Sequence, residues 1–71
     1  ATLGRDVANA IALHDNEVSR RHAEIRPTPQ GYRIVDLGSA NGTFVNGDAV
    51  RESALRAGDQ VRVGQTVMLF G

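Results

Sequence analysis

Four short blocks carry side chains able to do chemistry: Gly4-Arg5, Ser19-Arg20-Arg21-His22, Asn41-Gly42-Thr43 and Asn46-Gly47. Their residue types suit the holding of an oxyanion. Arg5 offers a planar fork whose paired N–H groups match two phosphate oxygens, a geometry Lys lacks, and Gly4 lets the backbone bend tightly before it. Ser19 adds a hydroxyl donor, and Arg20 adds a backbone N–H and positive charge. Taken singly, each block has a plainer reading. Most arginines are solvated surface residues, and Arg21 is read that way; Ser19 alone reads as a turn former, and the Asn-Gly pairs as turns. Other chemistries fit worse. Ser19 and His22 with Asp15 or Asp36 would need a held geometry and an oxyanion site that closeness on one short loop does not supply. His14, Asp15, Glu17 and His22 match no tight metal-ligand spacing. The stretch Gly38 to Thr43 suggests a nucleotide phosphate loop but lacks its lysine. Neither catalysis, metal nor cofactor is expected.

The elements that must position these residues are short strands. Apolar residues alternate over a few positions at a time, between clusters of Gly, Asn, Asp, Ser and Pro, the pattern of an all-β domain. Strands are predicted at Ile11 to Leu13, Ala23 to Arg26, Tyr32 to Asp36, Thr43 to Val45, Gln60 to Val63 and Thr66 to Phe70. Pro27-Thr28-Pro29-Gln30-Gly31 is expected to be the turn of a hairpin running from Ala23 to Asp36. Asn46-Gly47 is the strongest two-residue hairpin signal, because both residues accept positive φ. Between Ala49 and Ala57, Val50, Ala54 and Ala57 recur at near-helical spacing with Gly58 placed to follow a helix end, so one helical turn is expected there.

Composition narrows the class. A chain of 71 residues forms at most one domain, and at this size folding buries only roughly 60% of the unfolded surface. There is no Cys, so packing or a partner must supply stability. Eight basic residues, all arginine, balance eight acidic ones, which excludes the basic excess of a nucleic-acid binder, and 4% aromatics leave few platforms for stacking bases. The longest apolar runs, such as Val67-Met68-Leu69-Phe70, are too short to cross a bilayer. A cytoplasmic chain without membrane contact is expected.

Read together and in order, the blocks resemble the signature of the forkhead-associated (FHA) domain. The resemblance runs from Gly4-Arg5 through Val18-Ser19-Arg20-Arg21-His22-Ala23, then Asp36 to Gly47, then Gly58-Asp59 and Val63-Gly64. It implies a twisted β-sandwich with a ligand held by loops at one end. The function it implies is binding of phosphothreonine peptides, docking Thr-phosphorylated partners, in another protein or in the same polypeptide, downstream of a Ser/Thr kinase. By this likeness Arg5, Ser19 and Arg20 hold the phosphate, and Asn41 pairs with the peptide backbone through an amide that both donates and accepts. Gly4, His22, Ser39, Gly42, Thr43 and Asn46 are expected to support the loops. Two departures stand out. The family places strands before the Gly-Arg block, where this chain has only Ala1-Thr2-Leu3, so the domain spanning 1–71 is expected to lack its first strands and to expose apolar surface and an edge that a second chain could complete. Ala40 stands where many members have a hydroxyl. The runner-up function is phosphate-independent association on the same fold.

Overall fold

The computed structural model describes residues 1–71. Nine strands run in chain order as β1 Thr2–Gly4, β2 Ile11–Ala12, β3 Ala23–Thr28, β4 Gly31–Asp36, β5 Thr43–Val45, β6 Asp48–Val50, β7 Glu52–Leu55, β8 Gln60–Val63 and β9 Thr66–Leu69. They form a five-stranded sheet in the order β2-β1-β3-β4-β7 and a four-stranded sheet in the order β6-β5-β8-β9. Every pairing is antiparallel except β1 with β2. The all-β sandwich expected from the alternation is what the chain adopts. Leu3, Val18, Ala23, Ile34, Val45, Leu55, Val61 and Val63 make its core, drawn from both sheets and from the segment before β3.

The helical turn expected between Ala49 and Ala57 does not form. Asn46 (φ 51°) and Gly47 (φ 87°) reverse the chain, so β6 returns along β5 with Thr43 opposite Val50. At Arg51 the chain crosses to the other sheet, where β7 pairs with β4, Ile34 opposite Ser53 and Tyr32 opposite Leu55. Burial in β7 follows a period of two: Leu55, off the supposed helical face, is the buried residue, while Ala54 is exposed. Core burial and a free sheet edge override a spacing that only mimics a helix.

The expected turn at Pro27 to Gly31 is also shorter than read, because β3 continues through Pro27 and Thr28 and only Pro29-Gln30 separates it from β4. The Ile25 amide points to β1, donating to the Ala1 carbonyl at 2.8 Å. Pro27, two residues on, aims its nitrogen to the same side beyond the end of β1, where no ladder bond is lost. At the front, Thr2–Gly4 is itself a strand, lying between β2 and β3 rather than at an edge. The open edges are β2 and β7 in one sheet and β6 and β9 in the other.

Candidate functional site

Three loops converge through hydrogen bonds: residues 5–10 after β1, 13–22 before β3, and 37–42 between β4 and β5. The first two run side by side. Arg5 N donates to Ser19 O at 3.0 Å, Asp6 N to Arg20 O at 3.2 Å, and His22 N to Leu3 O at 2.8 Å. This approach is why position 4 is glycine: a Cβ there would run into the Arg20 carbonyl oxygen and lie 2.6 Å from Asn9 Nδ2. The Arg5 Nε donates to Val18 O at 3.1 Å, which fixes the plane of the guanidinium and leaves both Nη groups without an intramolecular partner. The chain's two ion pairs, Arg26–Glu24 and Arg33–Glu52, lie elsewhere, so exposed Arg5 and Arg20 have no ion-pair partner, while Arg21 feels the charge of Glu24.

The third loop is joined to the second by the His22 imidazole, the Ser19 hydroxyl, the Asn41 amide and a backbone bond from Leu37 N to His22 O at 2.9 Å. His22 is fully enclosed; its Nδ1 accepts from Ser19 N at 3.0 Å, which places the ring proton on Nε2, 2.7 Å from Gly42 O. Ser19 Oγ accepts from Ala40 N at 3.0 Å and keeps its own hydrogen free to donate. The ring thus serves the Ser19 backbone and not its hydroxyl, so the pair lacks the base–nucleophile contact of a hydrolase. Asn41 is exposed beside them, with Nδ2 donating to Glu17 O at 2.8 Å and its side-chain oxygen outside any internal bond.

Asp36, absent from the candidate residues, organises the third loop. Its Oδ1 accepts from Ser39 Oγ at 2.5 Å and Thr43 Oγ1 at 2.7 Å, its Oδ2 from Gly38 N at 3.1 Å and Ser39 N at 3.0 Å. Ser39 Oγ in turn accepts from Gly42 N at 2.9 Å. Burial pushes the Asp36 carboxyl up, but these hydrogen bonds, led by those from Ser39 and Thr43, outweigh it and hold it below the ordinary carboxylate range. Asp15 does the same for the second loop: Oδ1 accepts from Glu17 N at 2.9 Å, and Oδ2 from Gln65 N and Thr66 Oγ1, each at 2.8 Å. The bonds from Glu17 and Thr66 hold its carboxyl low. Asp15 and His22 spend their polar atoms on these bonds, and no three of His14, Asp15, Glu17 and His22 are placed to share a metal ion. Asn9 was missed as well; its amide bridges the first and second loops. An Asp that can bond the backbone amide two residues on is a local turn signal, as at Asp15–Glu17 and Asp36–Gly38, but it does not reveal partners far along the chain.

Asn46 stands at the other end of β5. Its Oδ1 accepts from Gln60 N at 2.9 Å and its Nδ2 donates to Asp59 Oδ1 at 3.1 Å, so it braces the β5–β6 turn against β8 and not the loops around Arg5 and Ser19. Gly4, His22, Ser39, Gly42 and Thr43 do gather around those loops.

The FHA domain model matches residues 1–64. Over 69 residues the chain is 42% identical to an oxoglutarate dehydrogenase inhibitor of Corynebacterium diphtheriae, covering 97% of this chain and 48% of that protein. It is 43% identical to the glycogen accumulation regulator GarA of Mycobacterium tuberculosis, covering 97% of this chain and 43% of GarA. The chain thus spans about half the length of the curated relatives it matches. Among solved structures, one from a structural and functional analysis of phosphothreonine-dependent FHA domain interactions superposes with a TM-score of 0.91 at 41% identity, covering 96% of this chain and 71% of its own.

Proposed function

The chain belongs to the FHA domain family, and from that premise we propose that it is a non-catalytic docking module for phosphothreonine-containing segments. A phosphothreonine carries about −1.5 to −2 charge and three strong acceptor oxygens, so it needs several donors held in place. The observation that carries the reading is the set of donors left free on mutually bonded loops: both Nη groups of Arg5, the Ser19 hydroxyl and the Arg20 side chain. In this reading Arg5 takes two phosphate oxygens, Ser19 and Arg20 take the third and the net charge, and Asn41 pairs through its free side-chain oxygen with the peptide backbone. The phosphothreonine-dependent interactions studied in a structural relative support this choice of ligand. A cytoplasmic Ser/Thr kinase would prepare the partner, which belongs to another protein or to the same polypeptide. One relative is named an oxoglutarate dehydrogenase inhibitor, and control of a partner by docking is the output we assign to a chain built around residues 1–71.

Hydrogen bonds to charged groups contribute roughly 1.5–3 kcal/mol each, and micromolar affinity needs about 8 kcal/mol, so a few such bonds suffice. Titration of a labelled phosphothreonine peptide, with phosphoserine and unphosphorylated controls, tests the assignment. Phosphothreonine-selective binding that weakens at least roughly tenfold in Arg5→Ala, about 1.4 kcal/mol, is the expected result. Equal or absent binding across the three peptides would reject it.

A second reading, phosphate-independent association, is favoured by one feature. Ala1, Ile11, Ile25, Tyr32, Met68 and Phe70 are among the residues lining an apolar groove of about 510 Å³ beside the open β2 and β9 edges. A second chain, or another segment of the same polypeptide, completing the sandwich there would bind with little dependence on Arg5 or salt.

A further inference from the structure

We propose that Asn9 is a positioning residue for the anion site, its side-chain amide fixing the separation between the wall that carries Arg5 and the wall that carries Ser19 and Arg20; this rests on the phosphate reading above. Asn9 is 8% exposed, whereas Asp6, Val7, Ala8 and Ala10 around it are all exposed. Something other than an apolar contact draws it inward. Its Nδ2 donates both hydrogens to carbonyl oxygens, to Asp6 O at 2.7 Å and to Arg20 O at 2.6 Å. Asp6 O also accepts from Asn9 N at 3.1 Å, which closes the 6–9 turn on itself. The Arg20 carbonyl lies across the cleft, on a residue assigned to the phosphate. One amide nitrogen therefore ties the residue after Arg5 to the residue after Ser19.

No other side chain does this at the same length. Asp has no donor when ionised, Ser has one, and Gln places its amide one methylene further out. The seat is also specific from the opposite side. The Cβ that position 4 lacks would lie 2.6 Å from Asn9 Nδ2, so Gly4 makes room for the Asn9 amide as well as for the Arg20 carbonyl. Gly4 and Asn9 act as one device, the first allowing the two walls to meet and the second setting how far apart they stay. At the Arg20 carbonyl the Asn9 amide adds a short bond to the longer one from Asp6 N at 3.2 Å, at the open end of the run that begins with His22 N–Leu3 O and Arg5 N–Ser19 O.

The test uses the full chain, a phosphothreonine peptide, and temperatures well below the unfolding midpoint of each variant. Asn9→Ala is expected to bind about five- to tenfold more weakly, the loss of one to two neutral hydrogen bonds. Asn9→Asp should bind more weakly still near neutral pH, because a carboxylate faces two carbonyl oxygens. Its deficit relative to wild type at the same pH should shrink as pH falls toward the ordinary Asp range, about 3.9, because protonation returns one donor. A role confined to stability would lower the unfolding midpoint and leave both the affinity of the folded protein and that pH profile unmoved, which overturns the proposal. If Ala and Asp do not fold, Asn9→Ser, with one donor, decides: weakened binding at normal fold supports the positioning role and wild-type affinity overturns it. Wild type that fails to bind the peptide at all would instead bring down the phosphate reading, and the positioning role with it.

Discussion

The residues that build the recognition end divide into those that face solvent with donors to spare and those spent on holding them. Asp36 is the clearest of the second kind. It accepts three hydrogen bonds from the 37–42 loop and one from Thr43 at the start of β5, and its carboxyl is held below the ordinary range despite burial. A carboxyl depressed in the folded state stabilises the fold at pH above its unfolded value, about 3.9, and that contribution is lost as pH falls through the lower folded value. Chemical denaturation across the acid range should therefore show stability declining below about pH 4 in the wild type, with a shallower decline in Asp36→Asn. At neutral pH the same variant should lose roughly 1–3 kcal/mol, because an Asn amide that keeps both hydroxyl bonds must turn its NH2 toward the Gly38 and Ser39 amides. A wild-type acid slope in the variant would remove Asp36 from this role. Neither Asp36 nor Asn9 was legible as part of the site. An acid or amide in a loop is common, and what distinguishes these two is a partner brought near by folding.

At the scale of elements, the sequence was most legible where a strand alternates or a turn demands special backbone. Thr43–Val45 and Gln60–Val63 were read to the residue, and the Asn46-Gly47 reversal was read with its cause. Legibility failed where a pairing partner decides. β1 is three residues long and exists because β2 and β3 flank it; β6 and β7 mimic a helix until their separate partners are known. The site blocks were legible because four of them stand in the order and spacing of the FHA signature, each having a plain reading alone, while their convergence rests on bonds between loops distant in sequence. The β5–β6 turn yields a clean separation of stability from binding. Gly47→Val forces a side chain into left-handed backbone and should cost about 1–2 kcal/mol in denaturant unfolding. Peptide affinity measured on folded protein should stay within about twofold, since the turn lies at the far end of β5 from Gly42. A large affinity loss would mean that the two ends of β5 are coupled.

The whole molecule has two faces of opposite character. Net charge is zero, yet Arg5 and Arg20 stand on bonded loops without an ion-pair partner, so attraction for a phosphopeptide is local and falls with salt as the Debye length drops below about 10 Å. The apolar groove contains none of the residues assigned to phosphate. Leu69, on its rim, is 77% exposed on the open β9 edge. Sedimentation velocity should show self-association that rises with concentration and resists salt, and Leu69→Glu should suppress it while leaving phosphopeptide affinity unchanged. A wild type that stays monomeric at high concentration would remove self-association from the second reading.

The enclosed His22 ring, bonded on one side to Ser19 N and on the other to Gly42 O, also limits how the recognition end can be re-engineered. A rigid five-membered ring offers an acceptor and a donor on opposite edges at one fixed span, and the other side chains offer no such rigid bridge. Loop grafting that swaps the 13–22 segment alone, or the 37–42 segment alone, therefore breaks a joint whose other half stays behind. A graft meant to change ligand preference has to carry Ser19, His22 and Gly42 as a single cassette, with diversity introduced only at exposed positions other than Arg20 and Asn41.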